Sequence, residues 1–263
     1  MTLFALINLV LTPDPPLRLL TQPRQEFNPT ETTLKKVGEL VQFVSRDKDQ
    51  SVEKAPWQPS KEFKTNVQAW ALGVFLSPCL PAYKGDIAVN RMTSVIKRER
   101  SVFELPPNND KDFAKWGTIT DVIEDMNMDI RRQFKAYFER SVQGPNTEHW
   151  TIYALTQKMC CIYTTKGTSM CKPSVPLCAR AAFFRKCFMK NSQRDFWDSV
   201  DANLRSLREK LGGDETKISD YFHDTLKEDR RIHGVENIAE SASLPRTANV
   251  WQQEIDEIVN NAD

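Results

Sequence analysis

A chain of 263 residues, 40% of them hydrophobic and 27% charged, can bury a large core; this excludes disorder throughout and predicts one large domain or two small ones. Thirty-six Lys and Arg against thirty-five Asp and Glu leave a net charge of +1, so neither a histone-like polycation nor an acidic-tail protein fits the average. The six cysteines, Cys79, Cys160, Cys161, Cys171, Cys178 and Cys187, sit in a chain too long to need a disulfide scaffold, which predicts reduced, mostly buried thiols in an intracellular protein, cytoplasmic or nuclear.

The apolar run Leu3 to Leu11 lacks a basic start and a small-residue cleavage site, and it meets Pro13, Pro15 and Pro16 at once. It is far shorter than the roughly 20 residues of a membrane span, so it is expected to dock on the protein's own core, a cleaved signal or a partner-binding peptide being the alternatives, and no integral membrane association is expected. Five prolines between Pro13 and Pro29 remove amide donors and disfavour helix, predicting an extended arm over 1–29. Thr30 then caps a helix through Leu34, Val37, Leu40, Val41 and Val44, and the polar stretch from Ser45 to Pro59 reads as a linker. The organisation expected is therefore an arm over 1–29, a first helix and linker over 30–59, and a main helical domain over 60–263.

Within that domain Ser60 caps a helix carrying Phe63, Val67, Trp70 and Val74, stopped by Ser77-Pro78. A weaker pattern over 86–103 runs through Val89, Met92, Val95, Ile96 and Phe103. The longest stripe, from Thr118 to Val142, has Thr118 and Asp121 as a capping box and Gly144-Pro145 as its stop. Asn146 is the expected cap of a helix through Trp150, Tyr153, Leu155 and Ile162, and Ser174 that of another with Pro176 in its first turn and Phe183, Phe184, Cys187 and Phe188 on one side. Ser192 and Asp195 form a second capping-box signal ahead of Phe196, Trp197, Val200, Leu204, Leu207 and Leu211. After Gly212-Gly213, Asp214 opens a partner helix through Ile218, Phe222 and Leu226 to Gly234, predicting a helical hairpin. Asn249 caps a last helix with Trp251, Ile255, Ile258 and Val259. No segment alternates with period two, so the expected fold is all-α, an irregular bundle of eight to nine helices.

Within the hairpin, Phe196-Trp197-Asp198, Asp201, Leu204, Leu207-Arg208, Asp229-Arg230 and Gly234 resemble a helical module found in uncharacterised fungal proteins. The resemblance covers 195–234; it implies helices and brings no activity with it.

Most chemistries can be weighed and set aside. Asp121, Glu124, Asp125 and Asp129 lie along one helix, the arrangement with which all-α terpene synthases hold magnesium and a diphosphate. The adjacent acids Glu124-Asp125, however, have no partner three residues on. The nearest echo of a second metal motif, Asn90 and Ser94, is upstream and has Arg98 where an acid belongs, so a solvated helix face is the better reading. The cysteines lack zinc-finger spacing, and the three histidines, His149, His223 and His233, have no Ser or Cys neighbour in a nucleophile motif. No metal and no cofactor are expected.

Charge layout is the most informative feature. Between 158 and 194 stand eight basic residues, Lys158, Lys166, Lys172, Arg180, Arg185, Lys186, Lys190 and Arg194, with no acid among them, while 195–263 holds sixteen acids against eight bases. Such adjacent blocks of opposite sign either pack against each other or leave the basic one free for phosphates. The function expected is thus a non-enzymatic binding or interaction protein, with nucleic acid or an acidic protein surface met by those eight residues. The alternative is an enzyme whose site joins Cys160, Cys161 or Cys187 to a histidine across helices.

Overall fold

A computed structural model of the chain describes residues 36, 57–106, 112–142, 150–163, 170–237, 242 and 244–261. The apolar run at 3–11, the arm over 1–29 and, apart from the helical Lys36, the helix and linker read over 30–56 lie outside the described residues. By contacts the chain divides into Met1–Ala55 and Pro56–Asp263, and the helices α1 to α8 defined below all belong to the second unit.

Ser60 opens the first of them, α1 (Lys61–Leu76), because its hydroxyl accepts the Phe63 amide at 2.9 Å and so satisfies one of the free amides of the first turn. α2 (Asp86–Arg98) follows a loop over 77–85 and keeps Lys97 and Arg98 in its last turn, where they oppose the helix dipole. α3 spans Phe113–Val142 and starts five residues before the expected Thr118. The reason is local: the Asp112 carboxylate accepts the Lys115 amide at 3.0 Å and caps the helix there, while Thr118 Oγ1 donates back to the Ala114 carbonyl at 3.3 Å instead of capping. α4 (Ile152–Cys160) is capped by Thr151, its hydroxyl accepting the Ala154 amide at 3.2 Å, and the expected cap Asn146 lies outside the described residues.

α5 (Val175–Lys190) follows Ser174, with Pro176 in its first turn, and α6 (Phe196–Lys210) follows Asp195, whose side chain makes no capping bond. Gly212 and Gly213, with φ of 64° and 72°, turn the chain in the left-handed region that costs glycine little. Asp214 then caps α7 (Glu215–His233) by accepting the amides of Thr216 and Lys217. α8 (Val250–Asn261) starts after Asn249, whose side chain accepts the Gln252 amide at 3.0 Å. Among the described residues the structure is an all-α bundle of eight helices, and none of them is long and apolar enough to cross a membrane.

α5 is the centre of the bundle. It packs on α3, α4, α6 and α7, and accordingly buries residues all round: Leu177 to Arg185 without interruption, then Cys187 and Phe188. Around it Phe138, Phe184, Phe188, Phe196 and Trp197 join in edge-on and tilted ring contacts with centroids 4.9–6.4 Å apart. α1, α2, α3 and α8 form the other side. There Gln252, buried on α8, donates to the Gly73 carbonyl at 2.9 Å and accepts from the Cys171 thiol at 3.2 Å.

Candidate functional site

Two arginines of the basic segment, Arg180 and Arg185, sit on the central helix α5 and are 1% and 0% exposed, so the expected surface role does not hold for them. α5 has no solvent face at these positions, and its charges had to turn inward. Of the others, Lys158, Lys172, Lys190 and Arg194 are exposed, Lys186 is half-buried and Lys166 lies outside the described residues. Lys158 stacks over the Trp150 ring at 4.5 Å, and Lys186 pairs with Glu228 at 3.4 Å.

The two buried arginines differ in how they are satisfied. Arg185 forks onto Asp229 of α7, with Nε donating to Oδ2 at 2.8 Å and Nη2 donating to Oδ1, and its Nη1 donates to the Trp150 carbonyl at 2.8 Å. Charge and hydrogen bonds are both answered. Arg180 has no carboxylate partner. Its Nε donates to the Tyr83 hydroxyl at 3.1 Å, Nη2 donates to the Leu80 carbonyl, and the guanidinium lies 5.0–6.0 Å from the ring centroids of Tyr83, Phe184 and Phe222. Nη1, with its two N–H groups, is buried and has no acceptor.

Arg180 is also one of three arginines that hold the loop over 77–85. Arg131 of α3 donates to the Tyr83 carbonyl at 2.8 Å and Arg208 of α6 to the Pro81 carbonyl at 3.0 Å. The Asp201 carboxylate accepts the amides of Tyr83 and Lys84 at 2.8 and 2.9 Å. Burial pushes the Asp201 carboxyl above its ordinary value, with those two amides opposing the rise. Tyr83 itself is fully buried between Phe75, Phe184 and Trp197, which anchors the loop in the core.

Where this loop meets the helices there is a cleft of about 370 Å³, within the size range of small-molecule sites. Arg91 of α2, Arg180 of α5 and Arg208 of α6 line it, together with the start of α7 (Glu215, Ile218, Ser219, Phe222 and His223). Prolines 78, 81 and 176, Ala179 and Val259 supply apolar wall. Among the described residues none of the three arginines has a carboxylate within ion-pair distance, and Glu215 is the one acid on the wall. Burial and then the Arg180 charge hold the Arg208 guanidinium below its ordinary value. The arrangement can receive an anion.

Cys79 and His223 also line this cleft, a pairing the sequence did not single out. His223 Nδ1 is taken up by the Ser219 carbonyl at 2.9 Å on its own helix. Cys79 is exposed as a residue, but partial withdrawal of its sulfur from water, followed by the Asp256 charge, pushes the thiol up, away from the thiolate a nucleophile needs. Of the cysteines named for the enzymatic alternative, Cys160 and Cys187 are buried, and burial pushes the Cys187 thiol up to about 12. Cys161 is half-buried, and His149 lies outside the described residues. Asp121, Glu124 and Asp125 are exposed along α3, and Asp129 accepts from the Tyr163 hydroxyl at 2.9 Å. Among the described residues no group of three or more His, Cys, Asp or Glu is placed to hold a metal ion.

The residues missed at sequence level are Tyr83, Arg91, Arg131 and Arg208. A signal existed for one of them: Asp201 and Arg208 are seven residues apart, hence on one side of α6, and flank Leu204 of its apolar stripe. Comparison of the chain with protein-family models, with curated proteins and with solved structures finds no match.

Proposed function

We propose that this chain is a non-enzymatic binding protein that takes a small organic anion into the cleft at Arg180. The observation that carries the reading is the contrast along α5: Arg185 is answered by Asp229, whereas Arg180, equally buried, keeps an Nη1 without an acceptor and is one of the residues that line a cleft. An uncompensated buried cation costs several kcal/mol, roughly, and ring faces and two neutral acceptors offset only part of that. A bound anion supplies what the fold withholds.

The test uses Cys79, an exposed thiol on the same wall, as the reporter. N-ethylmaleimide, which is uncharged, is reacted with the full chain while phenyl phosphate or benzoate is titrated in. Slower labelling with at least one of them, lost in an Arg180→Gln chain that circular dichroism shows to be folded, is the expected result. Labelling rates indifferent to both anions would sink the reading.

A second reading, nucleic-acid binding, rests on the exposed Lys158, Lys172, Lys190 and Arg194. Fluorescence anisotropy with short DNA and RNA over a salt series separates the two. Salt-sensitive binding that Lys158→Ala, Lys172→Ala, Lys190→Ala and Arg194→Ala together remove, and that Arg180→Gln leaves intact, supports the surface reading.

A further inference from the structure

From the chemistry of the cleft wall we infer that its ligand is a phosphomonoester on a compact apolar body; this rests on the reading of the Arg180 cleft as an anion site and specifies its occupant. Three cationic side chains reach the cleft from three helices, Arg91 from α2, Arg180 from α5 and Arg208 from α6, against the single carboxylate of Glu215. A carboxylate is planar, carries one negative charge and offers two oxygens. A phosphomonoester carries close to two charges at neutral pH and presents three terminal oxygens tetrahedrally, enough to be shared among the three arginines of the wall. Arginine favours such groups because its fixed N–H fork matches phosphate oxygens.

Arg180 is the most enclosed of the three. Arg180 is held by the Tyr83 hydroxyl, the Leu80 carbonyl and the faces of three rings, and the N–H groups left over belong to Nη1. α7 begins at Glu215 and its first two turns form part of the wall, but the Asp214 carboxylate already takes its first amides, so the positive charge of the cleft comes from the arginines. Beyond the charges, Phe222, Ile218, Pro81, Pro176 and Val259 leave an apolar surface that an inorganic ion does not fill. An ester group of aromatic or short aliphatic character does.

Isothermal titration calorimetry on the full chain compares phenyl phosphate, inorganic phosphate and benzoate. Phenyl phosphate is expected to bind at least ten-fold more tightly than either of the others. Arg91→Gln, which touches none of the loop's hydrogen bonds, is expected to weaken phenyl phosphate at least ten-fold, as is Arg208→Gln. Benzoate binding within ten-fold of phenyl phosphate overturns the assignment of class while the anion site stands. Inorganic phosphate within ten-fold overturns the apolar part, and unchanged affinity in Arg91→Gln overturns recognition by all three arginines. Absence of binding by all three probes removes the anion site itself and this inference with it.

Discussion

Cutting the Arg185–Asp229 pair tests whether the basic and acidic blocks are joined by buried chemistry or only by proximity. Both side chains are almost wholly withdrawn from water, at 0% and 3% exposure, and they share two hydrogen bonds in fork geometry. Removing one partner leaves an ion in the core without its counter-charge, which costs about 3–5 kcal/mol. Asp229→Leu, like Arg185→Met, is therefore expected to lose about that much, a large part of the roughly 5–15 kcal/mol that holds a typical domain together. For a unit of this size that corresponds to a fall in Tm of about 6–20 °C. Replacing both residues, Arg185→Met with Asp229→Leu, removes the charges together and should recover most of the loss. The bond from Arg185 to the Trp150 carbonyl is lost as well, which keeps about 1 kcal/mol of it. Urea denaturation followed by circular dichroism for the parent, the two single variants and the double variant closes the cycle. Single-variant losses below about 1 kcal/mol, or a double variant as unstable as the sum of the singles, would refute the reasoning.

Gly73→Ala should destabilise by about 1–3 kcal/mol in the same assay, because its Cβ would stand 2.4 Å from Ile255 Cδ1 and 2.7 Å from Trp251 Cη2 and push α8 off α1; a variant as stable as the parent would contradict that close approach. Thiol titration of the native chain should find Cys79 reacting before Cys160, Cys171, Cys178 and Cys187, which are buried and should react only as fast as the protein opens; fast native-state reaction of one of these four, mapped by mass spectrometry, would restore the enzymatic alternative. Burial holds the Asp256 carboxyl above its ordinary value, so the folded state keeps this proton to higher pH than the unfolded chain and loses stability as pH rises through the folded value. Asp256→Asn, which keeps an oxygen for the Gln252 amide, should therefore be more stable than the parent at pH 7 and show no such gain at pH 3; an equal gain at both values would refute the assignment.

What could be read from the sequence was whatever a helix settles within a few turns. Ser60, Asp214 and Asn249 cap helices because a side-chain oxygen needs only the amides two or three residues ahead, and Gly212-Gly213 and Gly234 end them because positive φ is a property of the residue itself. Asp112 and Thr151 were missed where a stronger-looking signal stood nearby, Thr118 in one case and Asn146 in the other. The motif in the hairpin shows the boundary. Asp201, Arg208 and Asp229 look like ordinary polar residues of amphipathic helices, yet Asp201 and Arg208 hold the loop over 77–85 and Asp229 meets Arg185 in the core.

Charge counting showed that opposite blocks adjoin, and it could not say which side chains face inward. That depends on α5 being enclosed by four other helices, a fact of packing between segments far apart in the chain. Arg180 and Arg185 are the same residue type five positions apart. Only the tertiary structure set Asp229 beside one and Tyr83, Leu80 and an open cleft beside the other, because the partners that decide a buried charge come from elements the local sequence does not contain.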